Sequence, residues 1–531
     1  MHEYSRTCAF KSIEDIRGKR VTIMGLGLNG GGEASARFFA EKGAIVTVTD
    51  MKTHEDLLPS IERLKNLEAD GGKETEGKIR YVLGKHELSD FENADCVIKN
   101  PGVKFEGNKY LQAAKAIESD ISVFLRFSKS PVIAVTGSKG KSSTVSAIYY
   151  GLKQAGFNAF LGGNITVSPL TFFDKTSSDT PVVLELSSWQ LADLRGRGVL
   201  KPYISIITKI VPDHQNWYGN MTSYVQDKKL IYADQTRGDW TIVDFDGDEP
   251  SYAPSACGVE NAEGKSWGDI FASESKATVL RYSKTKPDQK MFGVWDENSS
   301  EGRVLLPGME ESEVILDNLK VPGRHMRTNV LNAALVLYLM HIPAERIKSI
   351  LENWEGTPHR LQYFHTYAGS VRFFNDSCAT VPEAVTEATK AFQKPVILLT
   401  GGTDKGLSFE PLVKTLKDVN NPLYPKKIFL LAGTGTDKLI AGLSDSENVA
   451  YATDKNIPAA SGKSSGVDNV SWEGPFPSLK EMLSAVKDYI DRNNIQNVDV
   501  VFSPGATSFG LFKNEFDRGN QFMNGVKELF N

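Results

Sequence analysis

The sequence predicts an α/β protein of three domains, each built on a mainly parallel sheet. Three observations carry that expectation. The chain has 531 residues, which at roughly 100–200 residues per domain suggests about three units. Strand-like apolar runs alternate with helical patterns in three successive blocks, the order that covers a parallel sheet with helices. Two of the strand-to-helix turns are rich in glycine, as turns are where backbone must approach a phosphate.

The first block opens with a short strand at residues 21–24, a glycine-rich turn, a helix running to Lys42, and a strand at 45–49 that ends on Asp50. Residues 68–78 read as a polar loop. A strand at 96–99 is stopped by Asn100-Pro101-Gly102, since proline and glycine do not continue a ladder. The turn Gly25-Leu26-Gly27-Leu28-Asn29-Gly30 lets amides approach phosphate oxygens at a helix N-terminus. Asp50 ends the next strand, where an acid can take a ribose hydroxyl. Taken alone, the turn suggests a dinucleotide-binding oxidoreductase; the bland reading is glycine needed only for packing.

The second block opens with a continuous apolar run at 131–135, typical of a buried parallel strand. Thr136-Gly137-Ser138-Lys139-Gly140-Lys141-Ser142-Ser143 follows. Its amides can cradle ATP phosphates, the Lys141 ammonium can reach the β/γ oxygens, and a Ser142 or Ser143 hydroxyl can ligate Mg²⁺. The leading glycine of the full Walker pattern is missing. Val145, Ile148, Tyr149 and Leu152 mark the helix after it. Strands are expected at 182–186 and 203–208. Glu185 ends the first, a place for a Mg²⁺ ligand, and His214 follows the second. Lys228 and Lys229 lie on a helix expected over 223–232. Short apolar runs at 278–282, 291–295 and 304–306 suggest small antiparallel strands decorating the domain.

The third block runs from Gly356. Strands are expected at 371–374, 396–399, 428–431 and 498–502, with an exposed loop at 453–472. Ser478 and Glu481 have capping-box spacing before an amphipathic helix. His359-Arg360 and Asn375-Asp376-Ser377 flank a strand, so Asp376 can accept from a ribose and Arg360 can meet a phosphate. Lys405 and Ser508 stand in turns that close two further strands.

Composition sets outer limits. With 40% hydrophobic and 24% charged residues, the chain can build several cores and is not wholly disordered. A net charge of -5 argues against nucleic acid as partner. Cys8, Cys96, Cys257 and Cys378 are scattered without CxxC spacing, so neither a disulfide framework nor a zinc-thiolate site is expected, and a cytoplasmic location is. No secretory leader is expected, and no apolar run approaches the ~20 residues of a membrane span.

TGSKGKSS, GGNI (162–165), LELSSWQL, VPDH, GTPHRL (356–361), NDSCAT (375–380), GGTDKG, SPGATSF and FDRG (516–519) occur in this order. Together they resemble the Mur ligases of bacterial peptidoglycan synthesis, and most of all the members that add D-glutamate. The resemblance implies a Rossmann-like UDP-substrate domain at 1–127, a central P-loop ATP-binding domain at 128–355 and a Rossmann-like amino-acid domain at 356–531. It implies ATP-dependent joining of D-glutamate to UDP-N-acetylmuramoyl-L-alanine through an acyl phosphate, by a monomer. Related acceptors, L-glutamate or lysine, stay open beside it.

By motif position, the resemblance implies substrate contacts at Leu28, Asn29, Asp50, Met51, Lys52, Asn164, Ser187, Gln190 and His359. Thr380, Lys405, Ser508 and Phe509 would take the glutamate. ATP would meet residues Gly137, Ser138, Lys139, Gly140, Lys141, Ser142 and Ser143 of the loop, with Asn329, Arg360 and Asp376. Two Mg²⁺ ions would use Ser142, Glu185, His214 and Lys228, the last carbamylated; Lys141, His214 and Lys228 would be the catalytic set. Lys228 is chosen over Lys229 because it follows Tyr224 by four positions. Three departures from the pattern stand out: Cys378 stands where lysine is usual, Met326 replaces a polar residue, and Glu515-Phe516 inverts an aromatic-acid pair. The segments 246–320 and 453–472 carry no family motif and are expected to be surface elaboration.

Overall fold

Three sheets organise the chain, which we describe from a computed structural model covering residues 2–69, 73–298, 300–418, 420–443, 461–463 and 471–531. Two compact units result. One comprises Met1–Asp317 and Thr328–Leu351; the other comprises Asn318–Arg327 and Glu352–Asn531.

The first unit holds two sheets. Strands β1 (Arg20–Met24), β2 (Ile45–Asp50), β3 (Ile79–Leu83), β4 (Cys96–Lys99) and β5 (Ile117–Glu118) lie in the order β3-β2-β1-β4-β5, all parallel. The second sheet contains β6 (Val132–Thr136), β7 (Phe160–Gly163), β8 (Val182–Glu185), β9 (Ile204–Ile207), β10 (Trp240–Asp244), β11 (Thr278–Ser283), β12 (Gly293–Asp296), β13 (Gly302–Leu305) and β14 (Glu313–Leu316). Their order is β14-β13-β12-β11-β10-β9-β6-β8-β7. Every residue of β6, β8 and β9 is buried, which is why these strands read as mainly apolar runs without polar alternation.

The expected antiparallel decoration needs correcting. The run at 278–282 is β11, parallel to β10 and part of the main sheet. The helix Trp267–Glu274 supplies the crossover that a parallel return requires. Among the described residues of this sheet, only β12–β13 and β13–β14 pair antiparallel. Much of the segment 246–320 therefore extends the central sheet and is not surface elaboration.

Buried ion pairs tie the first sheet to the segment that follows the helix Ser188–Ala192. Lys99, at the end of β4, lies 2.9 Å from the Asp193 carboxylate, which also accepts from the Tyr4 hydroxyl at 3.2 Å. Glu118 of β5 meets Arg197 at 2.9 Å. Burial pushes the Asp193 carboxyl up to about 6, against the opposing pull of Lys99.

The second unit has one sheet: β15 (Gln362–Tyr367), β16 (Val371–Asn375), β17 (Ile397–Thr400), β18 (Lys427–Leu431), β19 (Ser461–Lys463), β20 (Ser471–Phe476) and β21 (Asp499–Phe502), in the order β15-β16-β21-β17-β18-β20-β19. Ile397 and Leu399 face one core, with Met482 and Phe522, while Leu398 faces the other, with Val385 and Leu412. That alternation is the strand period written into one four-residue run.

The loop expected at 453–472 falls partly outside the described residues, at 453–460 and 464–470; the remainder contributes β19 and the start of β20. Residues 70–72 of the polar stretch 68–78 also lie outside them. Ser478 caps its helix by accepting from the Glu481 amide at 3.2 Å, but the Glu481 carboxylate takes the Ser478 hydroxyl. Half of the expected capping box forms. Among the described residues no helix is long and apolar enough to cross a membrane.

Candidate active site

The first glycine-rich turn joins β1 to the helix Gly31–Glu41. A Cβ on Gly32 would stand 2.2 Å from the Gly25 carbonyl oxygen, so helix and turn pack too closely for any side chain there. Asp50 accepts from the Gly27 amide at 3.1 Å and the Lys52 amide at 2.9 Å. Its carboxylate thus braces the turn. Leu28, Asn29, Met51 and Lys52 are exposed around it.

The second turn joins β6 to the helix Lys141–Gln154. A Cβ on Gly137 would stand 2.0 Å from the Thr208 Oγ1, so the loop lies directly on the end of β9. The Ser138 and Lys139 amides already donate to the Lys209 carbonyl, at 3.0 and 3.3 Å. The amides placed for a phosphate are those of Lys141, Ser142 and Ser143, which open the helix and have no intrahelical acceptor. Lys141 Nζ is held over the loop by the Gly137 and Ser138 carbonyls, at 3.0 and 3.1 Å. Asn329 backs the loop: a Cβ on Gly140 would stand 2.5 Å from its Oδ1.

Glu185 closes β8 and is buried. Its Oε1 accepts from Asn164 at 2.9 Å, while Oε2 is buried with no hydrogen-bond partner. A buried carboxylate oxygen left without a hydrogen bond is a place that a cation fits. Ser187 and Gln190 form a capping box, Ser187 Oγ accepting from the Gln190 amide at 3.2 Å and Gln190 Oε1 from the Ser187 amide at 3.0 Å. They shape the helix Ser188–Ala192 that carries Trp189. The Trp189 ring lies 4.8 Å from that of His214, whose backbone φ of 52° is left-handed.

Lys228 is buried, and Lys229 pairs with Glu274 at 2.9 Å away from the loop. Lys228 Nζ donates to the Gly137 carbonyl at 2.7 Å and sits 4.6 Å from the centre of the Tyr224 ring. Burial, and then the Lys141 charge, hold this amine well below the ordinary lysine range; Asp213, Asp227 and Glu185 act against them. The phosphate loop, Glu185 and Lys228 thus form one cluster. Among the described residues no three His, Cys, Asp or Glu side chains are grouped to hold a metal.

In the second unit, Lys405 Nζ reaches Thr380 Oγ1 at 3.3 Å, and the Thr507 amide donates to the Thr403 carbonyl at 2.9 Å. Those bonds bring the GGTDKG turn beside the Ser503–Ser508 turn and the NDSCAT loop. Ser508 is buried and Phe509 is exposed. Asp376 is buried too, accepting from the Leu361 amide at 3.2 Å and the Ser503 hydroxyl at 2.7 Å. Burial pushes its carboxyl up to about 7. Both oxygens are engaged within the protein, so its local work is to brace the loop that carries exposed Arg360. His359 Nδ1 lies 3.1 Å from Ser377 Oγ, and a Cβ on Gly519 would come within 2.2 Å of both atoms. Cys378 is half-buried, with its thiol pushed up by burial, and so supplies no charge in place of a lysine.

Two residues that the motif reading passed over act as braces, one in each unit. Arg518 is fully buried and donates to the Ala506 and Ser377 carbonyls at 3.0 and 2.7 Å. Tyr224 donates to Ser138 at 3.0 Å. The first was visible within FDRG; the second served only as a spacing marker.

Comparison with known proteins gives these clusters a family. Residues 135–337 match the Mur ligase middle domain, and residues 19–123 match the MurD-like Mur ligase N-terminal domain. A UDP-N-acetylmuramoylalanine–D-glutamate ligase of Treponema pallidum is 39% identical, over 97% of this chain and 98% of the relative. The chain belongs to the Mur ligase family. A relative of the same name from Roseiflexus is 32% identical, over 96% of this chain and 98% of its own length. Among solved structures, the UDP-N-acetylmuramate-alanine ligase of Thermotoga maritima shares the fold, with a TM-score of 0.50 at 16% identity, over 96% of this chain and 99% of that one. MurF of Acinetobacter baumannii does likewise, with a TM-score of 0.50 at 13% identity, over 83% and 92%. With the family shown, the oxidoreductase reading of the first turn falls away.

Proposed function

We propose that this Mur ligase joins D-glutamate to the alanyl carboxylate of UDP-N-acetylmuramoyl-L-alanine, consuming ATP, in peptidoglycan precursor synthesis in the cytoplasm. The observation that carries this reading is the end-to-end likeness to ligases of that name. We divide the labour among three domains, 1–127 for the UDP substrate, 128–355 for ATP and 356–531 for the amino acid.

A carboxylate is a poor electrophile and must be activated first. An oxygen of the alanyl carboxylate attacks the γ-phosphorus of ATP, the bridging bond to the β-phosphate breaks, and an acyl phosphate and ADP result. Lys141 and the amides of Lys141–Ser143 meet the charge on the transferring group. Glu185, with its unpaired Oε2, fits a site for Mg²⁺, and the buried amine of Lys228, held well below the ordinary lysine range, fits a carbamate that would offer oxygen to the ion. Ser142, Glu185, His214 and a carbamylated Lys228 would hold two such ions, which neutralise phosphate charge when bound. Thr380, Lys405, Ser508 and Phe509 would orient glutamate. Its amine then attacks the acyl carbon, and phosphate leaves through a tetrahedral intermediate.

Leu28, Asn29, Met51 and Lys52 would hold the uridine diphosphate end around the brace made by Asp50. Asn164 would meet the substrate further along, from its place on Glu185. All of these groups come from one chain, and a monomer suffices. Cys378, which carries no cation beside the glutamate pocket, keeps a second acceptor in view.

Phosphate release from ATP, measured with UDP-N-acetylmuramoyl-L-alanine against D-glutamate, L-glutamate and L-lysine, tests the reading. D-glutamate is expected to support turnover at least about tenfold better than either competitor. Preference for L-glutamate or lysine would replace the acceptor and leave the activation chemistry in place.

A further inference from the structure

The resemblance implies a phosphate contact at Ser138. Its hydroxyl is buried and makes three hydrogen bonds: it donates to the Val211 carbonyl at 2.8 Å, and it accepts from the Val211 amide at 3.1 Å and from Tyr224 Oη at 3.0 Å. A hydroxyl has one proton and two lone pairs. That capacity is filled, so the side chain has nothing left for ATP.

The three bonds tie the loop of Ser138 to two other elements, and each of the three carries one proposed reactive group. Ser138 itself belongs to the loop that holds Lys141. Val211 lies three residues before His214. Tyr224, itself buried, lies one helical turn before Lys228 on the helix Met221–Lys228.

We propose that Ser138 and Tyr224 are a positioning pair: through one saturated hydroxyl they fix the phosphate loop, the His214 loop and the Lys228 helix relative to one another, and neither touches substrate. This rests on the reading of the cluster as the ATP site. Without the tie, the loop must order itself as ATP binds, and ATP affinity carries that cost. The UDP end binds at a different turn on a different sheet, so its affinity is untouched.

Tyr224→Phe keeps the ring over Lys228 and removes only the hydroxyl. We expect it to raise KM for ATP by about fivefold, the equivalent of one net hydrogen bond, with KM for the UDP substrate within about twofold of the parent's. Ser138→Ala should do at least as much. Because both act through one hydroxyl, adding Tyr224→Phe to Ser138→Ala should change KM for ATP by less than about twofold. Thermal unfolding of each variant shows whether it is folded, and Ser138→Ala carries the same expectation should Tyr224→Phe fail to fold. The pairing is overturned if the Tyr224→Phe kinetics match the parent's, if both substrates' KM values rise together, or if the two effects multiply in the double variant. Lys141→Ala runs alongside: full activity there would overturn the ATP-site reading itself, whereas an inactive Lys141→Ala beside a parent-like Tyr224→Phe would overturn the pairing alone.

Discussion

Lys141→Ala should lower ATP-dependent ligation by about a hundred- to a thousandfold, the usual cost of removing one preorganised group that meets transition-state charge. The ammonium is held over the loop by the Gly137 and Ser138 carbonyls, so it is in place before ATP arrives and pays little to reorganise. The same two carbonyls explain why the loss should be local. Removing the side chain frees acceptors at the rim of the loop and leaves the Ser138 and Lys139 amides on Lys209. The turn proposed for uridine diphosphate stands on the other sheet of the unit. Titration of the UDP substrate into the variant should therefore give a Kd within about twofold of the parent's, since no group of that turn is changed. Retained ligation would contradict the assignment of this loop to ATP.

Lys228→Met should cost a comparable factor in activity and behave quite differently in stability. The amine is buried and lies close to the Lys141 charge, and both hold it below the ordinary lysine range. An unprotonated amine can add carbon dioxide, forming an N–C bond and releasing one proton to give a carbamate anion. Methionine fills similar volume without that chemistry. The sign of the pH effect follows from the lowered value. Between it and the ordinary lysine value near 10.5, the unfolded chain binds a proton that the folded chain does not, so parental stability rises with pH across that window. Lys228→Met removes this dependence. Its stability relative to the uncarbamylated parent should be most favourable at the lower end of that window and decline as pH rises toward 10.5, less a constant cost for leaving the Gly137 carbonyl without its donor. Activity above about a tenth of the parent's would contradict the role given to Lys228.

The sequence made the parallel cores legible because strands such as β6, β8 and β9 are buried on both faces and read as mainly apolar runs. It hid β3, whose burial is mixed along its length, and β7, half of which is glycine. Such short strands are held by neighbours and not by their own pattern. The direction of β11 was hidden for a related reason: pairing is decided by the helix that precedes it, not by residues 278–283. In the site, residue types at motif spacing pointed to Lys141, Glu185 and Lys228, and the structure draws those three together. Which hydroxyls and carboxylates are free is another matter. Ser138, Asp50 and Asp376 all carry ligand-like chemistry in the sequence. All three have their polar atoms bonded to nearby backbone or hydroxyl groups, and only the fold reveals that they brace loops.

The central claim is that the phosphate loop activates the alanyl carboxylate by phosphoryl transfer. UDP-N-acetylmuramoyl-L-alanine labelled with heavy oxygen in that carboxylate tests it most directly. Attack of the carboxylate on the γ-phosphorus, followed by expulsion of phosphate from the acyl carbon, must move one labelled oxygen into each phosphate released. Mass spectrometry of that phosphate is predicted to show a single heavy oxygen per turnover, with D-glutamate present. Phosphate that carries no label while ligation proceeds would contradict the account.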